Sequence, residues 1–186
     1  ATLAMERTTF EVQMQELSAG GDTVEVDDLI IGPRGAEEAE FLISPNIGEE
    51  PRPLSKIASG GELSRIMLAI KKILTKGSSD QTLVFDEVDA GIGGQTAEVV
   101  GHKLRDLARY HQILCVTHLP QIAAFGQTHY QVSKREDQGR TMTSVERLQG
   151  DMVVDEIARM LGGMGASTAT RTHAHEMLQK ARGEAG

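Results

Sequence analysis

Two adjacent acidic residues, Asp86 and Glu87, follow a short apolar run at residues 82–85 and precede a glycine-rich stretch. A short apolar run closed by turn residues is typical of a buried strand. Open α/β sheets bind their ligands outside the carboxyl ends of the strands, where these acids fall. One carboxylate could hold Mg²⁺ while the next orients or deprotonates a water, so the pattern predicts phosphoryl transfer from a nucleotide.

The same acids have plainer interpretations. Buried strands also end in acids that cap helices or form turns, so this Walker B pattern needs support from other residues. A calcium-binding EF-hand loop is excluded, because it needs acids at its first, third and fifth positions. Here the acids Asp86, Glu87 and Asp89 stand at the first, second and fourth.

Residues 59–62, with the sequence SGGE, begin a predicted helix that runs to about Lys76. Apolar residues recur three and four positions apart along it, which is the period of a helix with one buried face. Ser59 stands at the N-cap position and Glu62 three residues later, as in a capping box. The segment could therefore be only a helix cap.

His118 follows a second apolar strand, predicted at residues 112–117. A helix predicted at residues 95–110 joins it to the strand before Asp86, and two strands joined in this way form a right-handed βαβ crossover. Both strand tips then lie at one edge of the sheet, so we expect His118 to share a rim with Glu87. His118 could alternatively be a turn histidine.

Other segments predict the elements around this site. Alternating apolar and polar residues at 10–14 predict a half-buried strand. A small β unit is predicted to end near residue 45, and a proline-rich loop follows it. The further predicted elements are strands at 23–31 and 39–44, a hairpin of 128–134 with 141–148, and helices at 152–161 and 167–182.

The chain has 186 residues, with 19 basic and 27 acidic side chains and a formal net charge of −8. This length suits one domain with a sizeable core. The acidic balance argues against a free-standing nucleic-acid binder, because non-specific affinity comes mostly from Lys and Arg that neutralise phosphates.

Cys115 is the only cysteine and lies within an apolar run, so we expect a core residue rather than a nucleophile. The sequence has neither a secretory signal nor a long apolar stretch, and we therefore expect a soluble, cytoplasmic protein. Since the chain begins at Ala1 without an initiator Met, we also expect a fragment or a processed product.

Taken together, residues 53–65, 85–92 and 115–121 resemble the carboxyl-terminal half of an ATP-binding-cassette ATPase of the SMC-like type. Within that family they are similar to bacterial proteins that repair DNA double-strand breaks. The resemblance implies an α/β fold, the C-terminal lobe of an SMC-like ABC ATPase head, with a P-loop NTPase type sheet and flanking helices. One lobe would span residues 1–186, with a β unit leading from a coiled coil at 1–45, the motifs at 54–126, and a hairpin and terminal helices at 127–186.

The resemblance also implies a role for each motif residue. The signature motif would be Ser59, Gly60, Gly61 and Glu62; the magnesium ligand Asp86; the catalytic base Glu87; the D-loop acid Asp89; and the switch histidine His118. A glycine-flanked helix start offers N–H groups to a γ-phosphate, and a side chain at either glycine would block that approach. ATP and Mg²⁺ are the implied cofactors.

The sequence departs from the family pattern in two places. Ala58 stands where many transporter-type cassettes have Leu, which changes packing and no chemistry. No Gly-x-x-x-x-Gly-Lys-Ser/Thr phosphate loop occurs in the chain. The resemblance implies that this loop lies in an amino-terminal half beyond a coiled coil. The implied partners are that half, a second head in an ATP-dependent homodimer, and DNA through the full-length protein in the bacterial nucleoid, with no membrane.

Three alternatives compete with an ATPase. A catalytically silent, ATP-gated assembly module would keep this fold, although such modules commonly lose the base that Glu87 would supply. A hydrolase triad of Ser59, Asp86 and His118 lacks the Gly-x-Ser-x-Gly elbow. A metal site at His173 and His175 is disfavoured because residues two apart on a helix face different ways.

Overall fold

The computed structural model describes residues 3, 5, 7–44, 48–56, 59–74, 81–137, 140–163 and 165–183. The chain divides into one unit of residues 5–59 and a second unit of residues 1–4 with 60–186. The first unit contains the predicted small β unit and extends it to residue 59. The assignment of all 186 residues to a single lobe stays a prediction.

Short antiparallel strands build the unit of residues 5–59. In the larger sheet, β4 lies between β1 and β5, and Val12 of β1 pairs with Phe41 of β4; β2 and β3 form a separate pair. The elements are β1 (Thr9–Glu16), β2 (Val24–Val26), β3 (Leu29–Ile31), β4 (Glu37–Ser44), β5 (Arg52–Pro53) and a 3₁₀ turn at Leu54–Lys56.

Two predictions for this unit are wrong. Residues 23–31 form a hairpin rather than one strand, because Asp27 and Asp28 adopt φ angles of 50° and 64° and reverse the chain between β2 and β3. Nor is β1 half-buried, since all of its residues are exposed. Phe10 and Phe41 stack with ring centroids 5.6 Å apart, yet each is 47% exposed. The alternation of apolar and polar residues therefore distinguishes the two faces of β1, but it does not require either face to be buried.

A parallel strand pair positions the site in the second unit. β6 and β7 pair in parallel, with Phe85 opposite Cys115, and α2 connects them as predicted. β7 ends two residues earlier than predicted, and the predicted helix at 95–110 ends at residue 107. The elements are α1 (Gly60–Leu74), β6 (Thr82–Phe85), α2 (Gly94–Leu107), β7 (Gln112–Cys115) and α3 (Pro120–Ala123).

The remaining elements agree with the predicted hairpin and terminal helices. They are β8 (His129–Asp137), β9 (Arg140–Leu148), α4 (Asp151–Gly162) and α5 (Thr168–Arg182). The Ser167 hydroxyl caps α5 by accepting the N–H of Thr170 at 3.2 Å. No helix in the described part of the chain is both long and apolar enough to cross a membrane.

Two clusters of buried apolar side chains form the core of the second unit. The first lies behind the end of β6, where Leu68 of α1, Val88 and Val100 of α2 are fully buried. This cluster holds the loop that carries Asp86 and Glu87 in place between α1 and α2. The second joins α4 and α5 through residues such as Ile157 and Leu178.

Candidate active site

The start of α1 lies against the carboxylate of Glu87. A Cβ atom added at Gly60 would overlap Oε2 of Glu87. Gly60, the first residue of α1, must therefore lack a side chain if the Glu87 carboxylate is to keep its position. Two of the residues predicted to do chemistry are thus adjacent in space.

Gly61 permits a different close approach, between the helix and the backbone of the loop after β6. A Cβ there would stand 2.6 Å from Cβ of Ala90 and 2.9 Å from the carbonyl oxygen of Glu87. Both neighbours are fixed atoms near the backbone, so a side chain at Gly61 would push α1 away from the loop. The missing side chain of Gly60 leaves space for the Glu87 carboxylate, whereas that of Gly61 leaves space for the loop after β6 at Ala90 and the backbone of Glu87.

The two acids at the end of β6 are exposed and are held in a defined turn. Glu87 has a φ angle of 57°, in the left-handed region that non-glycine residues seldom adopt. Its N–H donates to Oδ1 of Asp86 at 2.9 Å. Strained residues of this kind cluster at functional sites, where the surrounding structure enforces them. Because Oδ1 already accepts this N–H, Oδ2 is the freer of the two Asp86 oxygens to take a cation.

Two side chains of α1, those of Ser64 and Arg65, hold the loop that carries Asp86 and Glu87. Neither residue was predicted from the sequence to have a role. The Ser64 hydroxyl donates to the carbonyl oxygen of Asp86 at 2.6 Å, and Nη1 of Arg65 donates to that of Ala90 at 2.8 Å. Arg65 is only 6% exposed, and this burial lowers the pKa of its guanidinium, an effect that Glu62 opposes. Their position two and three residues after SGGE was the available signal.

Asp89 joins the end of β6 to the end of β7. Its side chain is 4% exposed, and one oxygen, Oδ2, accepts two hydrogen bonds from the segment after β7 and lies 2.9 Å from Nδ1 of His118. The donors are the Thr117 hydroxyl at 2.6 Å and the His118 backbone N–H at 2.8 Å. β7 ends early because Thr117 turns toward this carboxylate. Thr117 is a third residue that sequence reasoning missed, although it precedes His118 directly.

The contact with Asp89 also determines which nitrogen of His118 can act on a ligand. A carboxylate accepts hydrogen bonds, so Nδ1 carries the proton and Nε2 is left for other partners. The side chain is 73% exposed, which gives Nε2 access from solvent. The predicted shared rim of His118 and the acids is thereby present, with Asp89 as the connection.

The other predicted site residues lie at the start of α1. Ser59 is exposed and immediately precedes the helix, and Glu62 is in its first turn. The capping box of this pair stays a prediction, as do the individual roles in chemistry. Cys115 is close to the site, but burial, assisted by the carboxylates of Asp89 and Asp86, raises the pKa of its thiol to about 12. This favours the interpretation of Cys115 as an inert packing residue.

The chemistry of the donor set fits one particular kind of metal site. In the described residues, no group of three or more His, Cys, Asp or Glu side chains is placed to hold a metal ion. A single exposed carboxylate such as Asp86 suits a cation that takes its other ligands from phosphate oxygens and water, as Mg²⁺ does in nucleotide sites.

The sequence is similar to bacterial proteins named DNA repair protein RecN. Identity is 47% over 185 residues with that of Xylella fastidiosa, 43% over 190 residues with that of Streptomyces coelicolor and 39% over 184 residues with that of Bacillus subtilis. These matches cover 97%, 99% and 97% of this chain but 33%, 32% and 32% of the relatives. The chain thus spans about a third of the length of the curated relatives it matches. No family model matches the chain.

Two solved structures are similar in fold. One belongs to work on "ATP-driven dimerization and DNA stimulated activation of SMC ATPases", with a TM-score of 0.42, 17% identity, and coverage of 69% of this chain and 76% of that chain. The other is an Smc head domain with a coiled coil and joint from Pyrococcus yayanosii, with a TM-score of 0.48, 15% identity, and coverage of 97% and 27%. At these TM-scores the likeness carries no functional conclusion.

Proposed function

We propose, on the premise that this chain corresponds to about a third of a bacterial RecN protein, that it forms one half of an SMC-like ATPase head. In the complete protein, this head would bind and hydrolyse ATP, dimerise while ATP is bound, and act in the repair of DNA double-strand breaks. The observation that carries the proposal is the placement of the Glu87 carboxylate against Gly60 at a helix start. That arrangement puts a base beside N–H groups suited to phosphate.

Glu87 is the proposed general base. Its exposed carboxylate lies next to the first residue of α1, where a γ-phosphate would meet the helix N-terminus. A base at this point can take the proton of a water that attacks the phosphorus. The fixed backbone turn of Glu87, supported by Asp86 and Ser64, limits the positions that its carboxylate can adopt.

Asp86 would hold Mg²⁺ through Oδ2, and the ion, when bound, would neutralise charge on the phosphate oxygens. His118 would donate a hydrogen bond to a phosphate oxygen through Nε2 as the imidazolium, because phosphate oxygens are acceptors. Asp89 is proposed to act through His118, because its buried carboxylate accepts the backbone N–H of His118 and lies 2.9 Å from Nδ1 of that residue. The cofactor-binding role that the resemblance implies for Asp89, the D-loop acid, stays a prediction.

The proposal requires a second segment of protein. The chain lacks the lysine-containing phosphate loop that cradles the phosphates in this class of ATPase. We propose that the loop belongs to the amino-terminal part of the same protein, and that the complete protein works in the cytoplasm at the nucleoid. Residues 59–62 would serve a nucleotide held by a second head, so that ATP joins the two heads.

Reconstitution tests this proposal. This chain and the complementary segment of the complete protein would be purified separately, and ATP hydrolysis would be measured for each alone and for the mixture. We expect activity only in the mixture, because neither part holds both the phosphate loop and Glu87. ATP hydrolysis by this chain alone would contradict the proposal. A folded, associated mixture that dimerises with ATP without hydrolysing it would favour the assembly module instead.

A further inference from the structure

The peptide unit that joins Asp86 to Glu87 is held at both of its polar groups. Its carbonyl oxygen, which belongs to Asp86, accepts the hydroxyl of Ser64 at 2.6 Å. Its N–H, which belongs to Glu87, donates to Oδ1 of Asp86 at 2.9 Å. Because a peptide unit is planar, two bonds to its opposite polar groups fix its orientation. That orientation determines the direction in which the chain enters Glu87.

The carbonyl oxygens on either side of this peptide are held by backbone groups. That of Phe85 accepts the N–H of Val116 at 2.9 Å, and that of Glu87 accepts the N–H of Ala90 at 3.0 Å. Backbone donors are present in every residue except proline, so these two bonds need no particular side chain. The bond from Ser64 is therefore the one of the three that depends on the type of residue.

This peptide holds Glu87 in an unfavourable backbone conformation. The φ angle of Glu87 is 57°, which a residue with a side chain seldom adopts. Rotation of the peptide before Glu87 would relieve that conformation, but it must break the bond from Ser64. The other bond, to Oδ1, uses the carboxylate that would hold Mg²⁺ in the proposed function, whereas the bond from Ser64 comes from α1.

One face of α1 receives both the backbone and the side chain of the acid pair. Gly60 and Ser64 are four residues apart on the helix and thus lie on the same face. At Gly60 the missing side chain leaves space for the Glu87 carboxylate, and one turn later Ser64 binds the backbone before it. The position of the carboxylate at the helix start therefore depends on the contact that Ser64 makes.

We infer that Ser64 is a positioning residue for ATP hydrolysis, because its hydroxyl holds the Asp86–Glu87 peptide to α1 and so keeps the Glu87 carboxylate at the helix start. The inference rests on the proposed function, which assigns Glu87 as the base. Ser64 acts through Glu87 and not on the nucleotide. A displacement of about 1 Å in a catalytic group can cost about 100-fold in rate, so one hydrogen bond at this position is enough to matter.

Steady-state ATP hydrolysis by the complete protein tests this role. Ser64→Ala should lower the turnover number by about 10- to 100-fold and leave the KM for ATP within about threefold of wild type, since the groups that bind phosphate are unchanged. Ser64→Cys keeps the size of the side chain but is a weak donor, so it should lose activity as well. Ser64→Thr keeps the hydroxyl and should stay within about threefold of wild type. Thermal unfolding verifies that each variant is folded.

The decisive measurement combines Ser64→Ala with Glu87→Gln and follows the residual hydrolysis with radiolabelled ATP. Without the base, Ser64 has no catalytic group to position. Adding Ser64→Ala to Glu87→Gln should therefore lower turnover by less than about twofold. An equally large loss in both backgrounds would overturn the inference, because Ser64 would then act independently of Glu87. Turnover of Ser64→Ala equal to that of wild type would overturn it too.

Ser144→Ala is the matched control, since it removes a hydroxyl that lies 2.7 Å from that of Ser133 on the exposed β8–β9 hairpin. It should hydrolyse ATP like wild type, and a loss equal to that of Ser64→Ala would count against the inference.

A crystal structure of the complete protein with Ser64→Ala gives a readout besides activity. We expect a negative φ angle at Glu87 and a carboxylate displaced from Gly60, and an unmoved Glu87 would overturn the inference. If the carboxylate is displaced but Glu87→Gln hydrolyses ATP like wild type, the proposed role of Glu87 as the base fails, while the control of its position by Ser64 stands.

Discussion

The carboxylate oxygen Oδ2 of Asp89 accepts a hydrogen bond from the backbone N–H of His118 at 2.8 Å and lies 2.9 Å from Nδ1 of the same residue. The side chain of Asp89 is 4% exposed, whereas that of His118 is 73% exposed. A buried acid thus fixes both the position and the tautomer of an exposed histidine. Any movement of the loop after β6 must move His118 with it.

Replacement of Asp89 by Ala should destabilise the protein. It removes the acceptor of the Thr117 hydroxyl and of the His118 backbone N–H, and unpaired buried groups cost about 1–3 kcal/mol. Asp89→Asn retains one oxygen and should cost less. Urea unfolding measures both, with Glu176→Ala, an exposed acid on α5, as the control. Equal stability of Asp89→Ala and the control would show that this connection contributes nothing.

Ala substitutions at the two glycines of α1 should have different effects. At Gly60 the new Cβ displaces a flexible carboxylate, so stability should change little while ATP turnover falls about 100-fold, as expected for a misplaced catalytic group. At Gly61 the Cβ meets Ala90 and the backbone of Glu87, so stability should fall by about 1–3 kcal/mol. Urea unfolding and ATP hydrolysis separate the two. The interpretation fails if Gly60→Ala unfolds the protein and Gly61→Ala does not.

Cys115 should make stability fall in alkaline solution. Burial raises the pKa of its thiol from 9.0 to about 12, so above pH 9 the unfolded chain loses a proton that the folded chain keeps. The free energy of unfolding contributed by Cys115 is complete below pH 9 and declines as the pH rises toward 12. Urea unfolding at about pH 8 and about pH 10 should therefore show a smaller decline for Cys115→Ala than for wild type. Identical declines would contradict this prediction.

Residues 59–62 should act on a nucleotide held by the other head of a dimer. The test mixes two inactive variants of the complete protein, Ser59→Arg and one without the phosphate-loop lysine. A mixed dimer has one intact site, so the mixture should recover up to about half of one site's activity. Failure to recover activity, with both variants folded and able to dimerise, would place the segment at its own head's nucleotide.

Sequence periodicity predicted the elements around the site because two strands and one helix have strong signals of different period. The rule that parallel strands end at one edge then placed Asp86, Glu87 and His118 together. Those predictions needed only residue types and spacing, and the parallel pairing of β6 with β7 agrees with them.

The supporting contacts could not be predicted in the same way. Ser64 and Arg65 donate to backbone carbonyl oxygens, which every residue has, so no pattern in the sequence marks their acceptors. The turn at Asp27 and Asp28 depends on two left-handed φ angles that non-glycine residues seldom adopt. Whether a face of β1 is buried depends on which other elements pack against it. The alternation of apolar and polar residues within the strand does not reveal this.

The most direct test of the central claim is ATP hydrolysis by the complete protein with Glu87→Gln. Loss of a general base should lower the turnover number by about 100- to 10,000-fold while ATP affinity is retained. Glu176→Gln, the same change at an exposed site on α5, is the control and should hydrolyse ATP like wild type. The ATP-bound dimer of Glu87→Gln should persist during gel filtration. Turnover of Glu87→Gln within about twofold of wild type would contradict the assignment of Glu87 as the base.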